Sequence, residues 1–140
     1  MLSTDRTRLE ALIALWNVAQ NDTGQSGVCA RLLLGLYNGR RFPFDLTELR
    51  RLDSALLRAA FDVLAMDANL NWPEVHEVLN RAFGRRDFGH RLEHMAHSWR
   101  LKGACTRANL PTEGAGQMLL KGLPEPVAAP AQAAMQAVRP

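Results

Sequence analysis

The segment Ser26–Asp53, SGVCARLLLGLYNGRRFPFDLTELRRLD, decides the fold class, because it contains one whole helix, its stop and the start of the next. Val28, Ala30, Leu32, Leu33, Leu36 and Tyr37 recur at helical spacing. Their apolar face is wide, so this second helix is expected to be central. Ser26 can cap its start, and Asn38-Gly39 can end it. Phe42-Pro43-Phe44 leads into Asp45-Leu46-Thr47-Glu48, where Asp45 as N-cap and Glu48 three residues later form a capping-box pattern. Phe44 and Leu49 have the spacing of a hydrophobic staple. A third helix is expected from Leu46 to about Met66, through Leu49, Leu52, Leu56, Ala60, Phe61 and Leu64, with Asp53-Ser54 as a point where it could restart in two pieces.

Outward from this segment the same period continues. Leu9, Leu12, Ile13, Trp16 and Ala19 predict a first helix over roughly Thr4 to Gln20, broken by NDTGQSG. Pro73 suits the first turn of a fourth helix carrying Val75, Val78, Leu79 and Ala82, with Glu74 near its positive end and Gly84 as its stop. Asp87 can cap a fifth, in which Phe88, Leu92, Met95, Ala96 and Trp99 share a face and Gly103 follows as the stop. Thr112 to Lys121 gives a weak sixth helix, and LPEPVAAPAQAAMQAVRP has the Pro and Ala content of a tail. No alternating run and no long repeat is present. The expectation is an all-α bundle of about five helices in a domain over 1–122, with a C-terminal tail over 123–140.

The 140 residues are 47% hydrophobic and 22% charged, which fits one globular domain. Apolar runs such as Leu32–Leu34 are far short of the roughly 20 residues of a membrane span. The N-terminal MLSTDRTRLE has no secretory pattern, so an intracellular setting is expected. Cys29 and Cys105 form no CxxC pair, and are read as buried or tolerated thiols. The net charge of +3 is unevenly spread: 8 arginines face 10 carboxylates up to Asn80, and 9 cations face 4 carboxylates beyond it. Arg81, Arg85, Arg86, Arg91, Arg100, Lys102 and Arg107 are opposed within their own stretch only by Asp87 and Glu93. That stretch is either a solvated face or a nucleic-acid contact.

His90, His94 and His97 fall within about a 60° arc of the fifth helix, opposite its apolar face. The first and last are seven residues apart, a rise of roughly 10 Å, too far for three rings to meet one ion. Solvent exposure is the simpler expectation, with the rings and Arg91 forming a polar surface whose charge rises below about pH 6.5. Gly24-Gln25-Ser26-Gly27 lacks the length and the Lys of a phosphate loop. Glu74 with Glu77, Asp62 with Asp67, and His76 beside Glu77 are pairs that any helical chain offers. Neither cysteine has a nucleophile signature, although folding could bring one to a histidine. No enzyme activity, cofactor or metal is expected. Arg40, Arg41, Arg50 and Arg51 bracket the Phe-Pro-Phe turn and read first as helix-end charge, second as a basic rim around an aromatic anchor.

The blocks LLLGLYNGRRFPFDLTELRRLD (Leu32–Asp53), MDANLNWPEVHEVL (Met66–Leu79) and WRLKG (Trp99–Gly103) resemble a family of small proteins of unknown function found on plasmids, phages and integrated elements of proteobacteria. The resemblance covers about two thirds of the chain and carries over no catalytic residue. It implies a mobile-element setting, in which some similar proteins are anti-CRISPR inhibitors of type I systems. The resulting expectation is a non-enzymatic inhibitor that binds a CRISPR surveillance complex and blocks DNA recognition or nuclease recruitment. Asp53, Asp62, Asp67, Glu74 and Glu77 are then candidates to meet a basic channel. The alternative is a DNA-binding accessory or regulatory protein using the basic stretch 81–107. A homodimer is also expected, because the second helix, Phe42, Trp72 and Trp99 offer more apolar surface than one small core can bury.

Overall fold

Capping chemistry sets where the helices begin in the computed structural model, which describes residues 3–111. The first helix, α1, spans Ser3–Ala19, and α2 spans Gly24–Tyr37. Thr23, not Ser26, caps α2: its hydroxyl accepts from Ser26 N at 3.1 Å and lies 2.8 Å from the Ser26 hydroxyl. The expected long third helix takes its two-piece form, a 3-10 turn over Leu46–Arg51 followed by α3 over Ser54–Asp67. Asp53 makes the break, because its carboxylate accepts from Leu56 N at 2.8 Å and so starts a new helix. Asp45 accepts from Thr47 N and the Thr47 hydroxyl, while Glu48 turns away to Arg31, so the capping box does not close. The fourth helix, α4, covers Val75–Phe83 and begins two residues after Pro73; α5 covers Phe88–Ser98, and Arg107–Asn109 forms a short 3-10 turn. No strand occurs among the described residues. The sixth helix expected over Thr112–Lys121 and the tail over 123–140 lie outside them.

The packing follows the apolar faces. Central as expected, α2 lies against α1, α4, α5 and the 3-10 turn, while α1 sits between α2 and α3. Trp16 is fully buried and meets Phe88 edge-to-face at 5.1 Å, and Phe83 stacks on Phe88 at 5.9 Å. Each buried Leu, Val or Phe of this core contributes about 1.5–3 kcal/mol. Phe42 and Trp72 are buried within the chain and Trp99 is half-buried, so the surplus apolar surface expected from these three is absorbed by the monomer's own core.

The ends of α4 and α5 contrast. Gly84 ends α4 as expected, in the left-handed region at φ 64°. The stop expected at Gly103 is instead a Schellman motif: Arg100 N donates to His97 O and Leu101 N to Ala96 O, both at 3.0 Å. Arg100 takes the left-handed position at φ 54°, which normally favours glycine. Gly103 serves a different need. A Cβ there would stand 1.8 Å from the Arg41 carbonyl oxygen, so only glycine lets the two backbones approach. Two substitutions therefore act in opposite directions. Arg100→Gly is expected to stabilise the fold by about 1 kcal/mol and Gly103→Ala to destabilise it by more than about 2 kcal/mol, read by urea denaturation. Equal midpoints for the three proteins would contradict both assignments.

Candidate functional site

Where the end of α2 meets α5, two polar side chains share one buried carboxylate. Arg41 grips Glu93 with both terminal nitrogens, at 2.8 and 2.7 Å, and the Tyr37 hydroxyl donates to Glu93 Oε2 at 2.8 Å. The Glu93 side chain is only 11% exposed. Arg41 Nε donates to Gly103 O at 3.1 Å, and its guanidinium lies 4.8 Å over the Phe42 ring. The Arg41 hydrogen bonds hold Glu93 below the usual carboxylate range, against the desolvation that would raise it. Burial, then the bond to Glu93, pushes Tyr37 up to about 12. A carboxylate held ionised and a phenol held protonated are poor proton exchangers at neutral pH, so this cluster clamps elements together and has no evident acid–base role.

The segment after α5 folds back over the histidine arc, so the solvent exposure expected of it is not found. His90, His94 and His97 are half-buried. His94 Nε2 meets the Pro111 carbonyl, and His97 Nε2 meets the Cys105 carbonyl at 2.6 Å. The Cys105 thiol lies 3.8 Å from that same His97 nitrogen. Folding has thus brought a cysteine to a histidine, but the ring nitrogen donates its proton to a carbonyl and has no lone pair to activate the thiol. Cys29 is fully buried, and its thiol is pushed up to about 11 by burial first and by Asp53 second.

A second polar group gathers at the start of α4. Glu74, His76 and Glu77 place ligand-type atoms within 4.8 Å of one another, and His76 packs edge-on to Tyr37 at 5.3 Å. The positive end of the α4 dipole disfavours a cation there, and two of the three groups are exposed. A cleft of about 260 Å³ lies between the α1–α2 turn and the end of α5, lined by Gln20, Asn21, Asp22, Ser98 and Trp99 among others. Asp22 is the only ionisable group in that lining.

The basic stretch divides once folded. Arg81, Arg86, Arg100, Lys102 and Arg107 are exposed. Arg85 makes two bonds of 2.9 Å to Asp87, and Arg91 is 1% exposed with Nε 3.2 Å from the same carboxylate and its guanidinium over Phe88. Arg91 is therefore inside the fold and cannot belong to the polar recognition surface expected of it. Asp87 is spent on these two arginines, and Asn80 Oδ1 takes the first α5 amide, Phe88 N, at 3.0 Å. The five acidic candidates do not form one cluster. Asp53 caps α3 and Asp67 lies at its other end, about 20 Å away by helix rise. Asp62 is half-buried between them, while Glu74 just before α4 and Glu77 on it are exposed. The Tyr37–Arg41–Glu93 clamp was not legible, because Glu93 reads as a counter-charge in a basic run and Arg41 as helix-end charge. The one signal was the position of Glu93 beside the apolar arc of α5.

A family model described as Family of unknown function (DUF7673) matches residues 9–100, from the first core leucine of α1 to the left-handed cap of α5. The chain belongs to this family. No curated protein and no solved structure matches it. The DUF7673 span contains all three members of the clamp and both arginines held by Asp87, whereas Gly103 and Cys105 fall beyond it.

Asp87 contributes to the acid response. The Arg85 hydrogen bonds, followed by Arg91, pull it down to about 2 from 3.8. A lowered folded pKa stabilises the fold fully above 3.8, and the contribution fades as pH falls toward about 2. Asp87→Asn is expected to cost about 2 kcal/mol at neutral pH, with the gap to the natural protein closing across that window in urea denaturation. A gap constant down to the lower limit would refute the linkage. Glu93→Gln leaves the half-buried Arg41 without its counter-charge and is expected to cost about 2 kcal/mol in the same assay.

Proposed function

We propose that this protein acts by binding a protein partner, without catalysing a reaction, and that the turn between α3 and α4 makes the contact. The observation that carries the reading is Leu70, 77% exposed in that turn. A leucine held in water leaves apolar surface that is buried favourably when a partner covers it. Along the chain it is followed by Glu74 and Glu77, both exposed, and the Glu74 side chain makes no cap bond to α4. An apolar knob with an acidic flank suits a basic protein surface containing an apolar socket. The non-catalytic part of the reading is supported by the inward commitment of Tyr37, Arg41, Glu93 and His97 to internal bonds.

The finer reading is an inhibitor of a bacterial defence complex. Its partner would be a type I CRISPR surveillance complex, whose DNA channel is lined with Lys and Arg. It rests on the resemblance of Leu32–Asp53, Met66–Leu79 and Trp99–Gly103 to small mobile-element proteins. The test uses a purified type I surveillance complex as the probe, with the protein immobilised and target-DNA binding by the complex read in parallel. Retention of the complex and loss of its DNA binding are expected, with Leu70→Ser or the pair Glu74→Lys and Glu77→Lys weakening both at least about tenfold. No retention, or retention unchanged by these variants, would overturn the reading.

Arg81, Arg86, Arg100, Lys102 and Arg107, all exposed, favour a second reading as a DNA-binding accessory protein. It predicts duplex affinity that falls steeply with salt and is lost when Arg86, Arg100 and Arg107 become Ala. Duplex binding insensitive to salt, or none, would remove it.

A further inference from the structure

The outer face of α3 carries apolar surface without a described neighbour. The helix buries Ala60, Val63 and Met66, and packs extensively on α1 alone. On the opposite side Phe61 is 56% exposed, Ala65 is exposed, and Leu57 and Leu64 are half-buried beside them. At 100° per residue, Arg58, Phe61, Ala65 and Ala68 fall within an arc of about 80°. Arg58 and Asp62 follow one edge of this face, one turn apart. Among the described residues neither forms an ion pair, with the other or with any third group. Arg placed four residues before Asp is also the weaker order for pairing within a helix.

These charges select the occupant. A two-fold axis perpendicular to a helix lays each edge against the same edge of its mate in reverse order, so residues on either side of the axis exchange partners. Opposite charges four residues apart are complementary to themselves under that operation when the axis passes midway between them, at the level of residue 60. The midpoint of Ser54–Asp67 lies within one residue of that level, so the two 14-residue helices overlap along nearly their whole length. Phe61 then lies next to the axis and meets its own copy, while Ala65 is small enough to let the helices reach the usual 8–10 Å separation. We propose that α3 is a homodimer contact, with two chains crossing antiparallel at Phe61 and reciprocal Arg58–Asp62 pairs closing one edge. This contact is distinct from the Leu70 turn and does not depend on the partner proposed for it.

Sedimentation velocity of the full chain across a micromolar concentration series tests the contact without any other component. A reversible shift from 15.6 kDa toward twice that mass is expected, and Phe61→Ser abolishes it. Arg58→Asp and Asp62→Arg, each alone, set like charges together and weaken the dimer at least about tenfold. The double swap restores it, and an equimolar mixture of the two single variants gives a heterodimer. Circular dichroism melting checks that each variant is folded, as expected for substitutions on an outer face. A 15.6 kDa particle at every concentration, or a dimer indifferent to the charge variants and their mixing, overturns the proposal.

Discussion

Glu93 is the constraint around which the C-terminal half is arranged. A carboxylate taken out of water costs several kcal/mol unless its oxygens are answered, and here a bidentate guanidinium and a phenol answer them. Each answering group lies on or just beyond the end of α2, so satisfying Glu93 docks α5 against α2. Arg41 also bonds the Gly103 carbonyl, which draws the segment after α5 into the same contact. That segment then covers the histidine arc, and His97 finds the carbonyl of Cys105. The path from one buried charge to the half-buried histidines is a series of polar groups that would be expensive to leave unpaired.

A second clamp does the corresponding work in the N-terminal half. Arg31 of α2 holds Glu48 through Nε at 2.8 Å, and Arg51 approaches the same carboxylate at 3.6 Å. Gln25 accepts from Asp53 N at 2.6 Å, so the break before α3 is tied back to the start of α2. Because α2 anchors both clamps, its central place is set by polar contacts along its length as well as by its apolar face. α3 is held mainly by apolar packing on α1, which leaves its other side for a different use.

Much of the charge that looks functional in the sequence is structural in the fold. Arg85, Arg91 and Asp87 form an internal group, as do Arg41 and Glu93. Outside remain five cations of the basic stretch, Arg40, Arg50 and Arg51 around the Phe-Pro-Phe turn, the carboxylates of Asp53, Glu74 and Glu77, and the large apolar side chains Leu70, Phe61 and Leu46. Exposed apolar side chains of this size gain from being covered, whereas exposed charges are already content in water.

The sequence by itself determined the helices, because a period of 3.6 in apolar residues and the side chains that cap a helix act over a few neighbouring positions. The central place of α2, the glycine stop of α4 and the possible restart at Asp53 were all legible for that reason. Only the tertiary structure decided which polar groups meet. Thr23 displaced Ser26 as a cap, Asp87 gave up capping for two arginines, and Gly103 stopped being a helix end and became a point of backbone contact. Arg91 and Glu93 sit on the same helix as exposed His and Arg would, and apart from the place of Glu93 beside the apolar arc nothing in their spacing marks them as buried. Their partners lie elsewhere, Glu93 meeting Arg41 across 52 residues, and a pairing at that distance leaves no periodic trace in either segment.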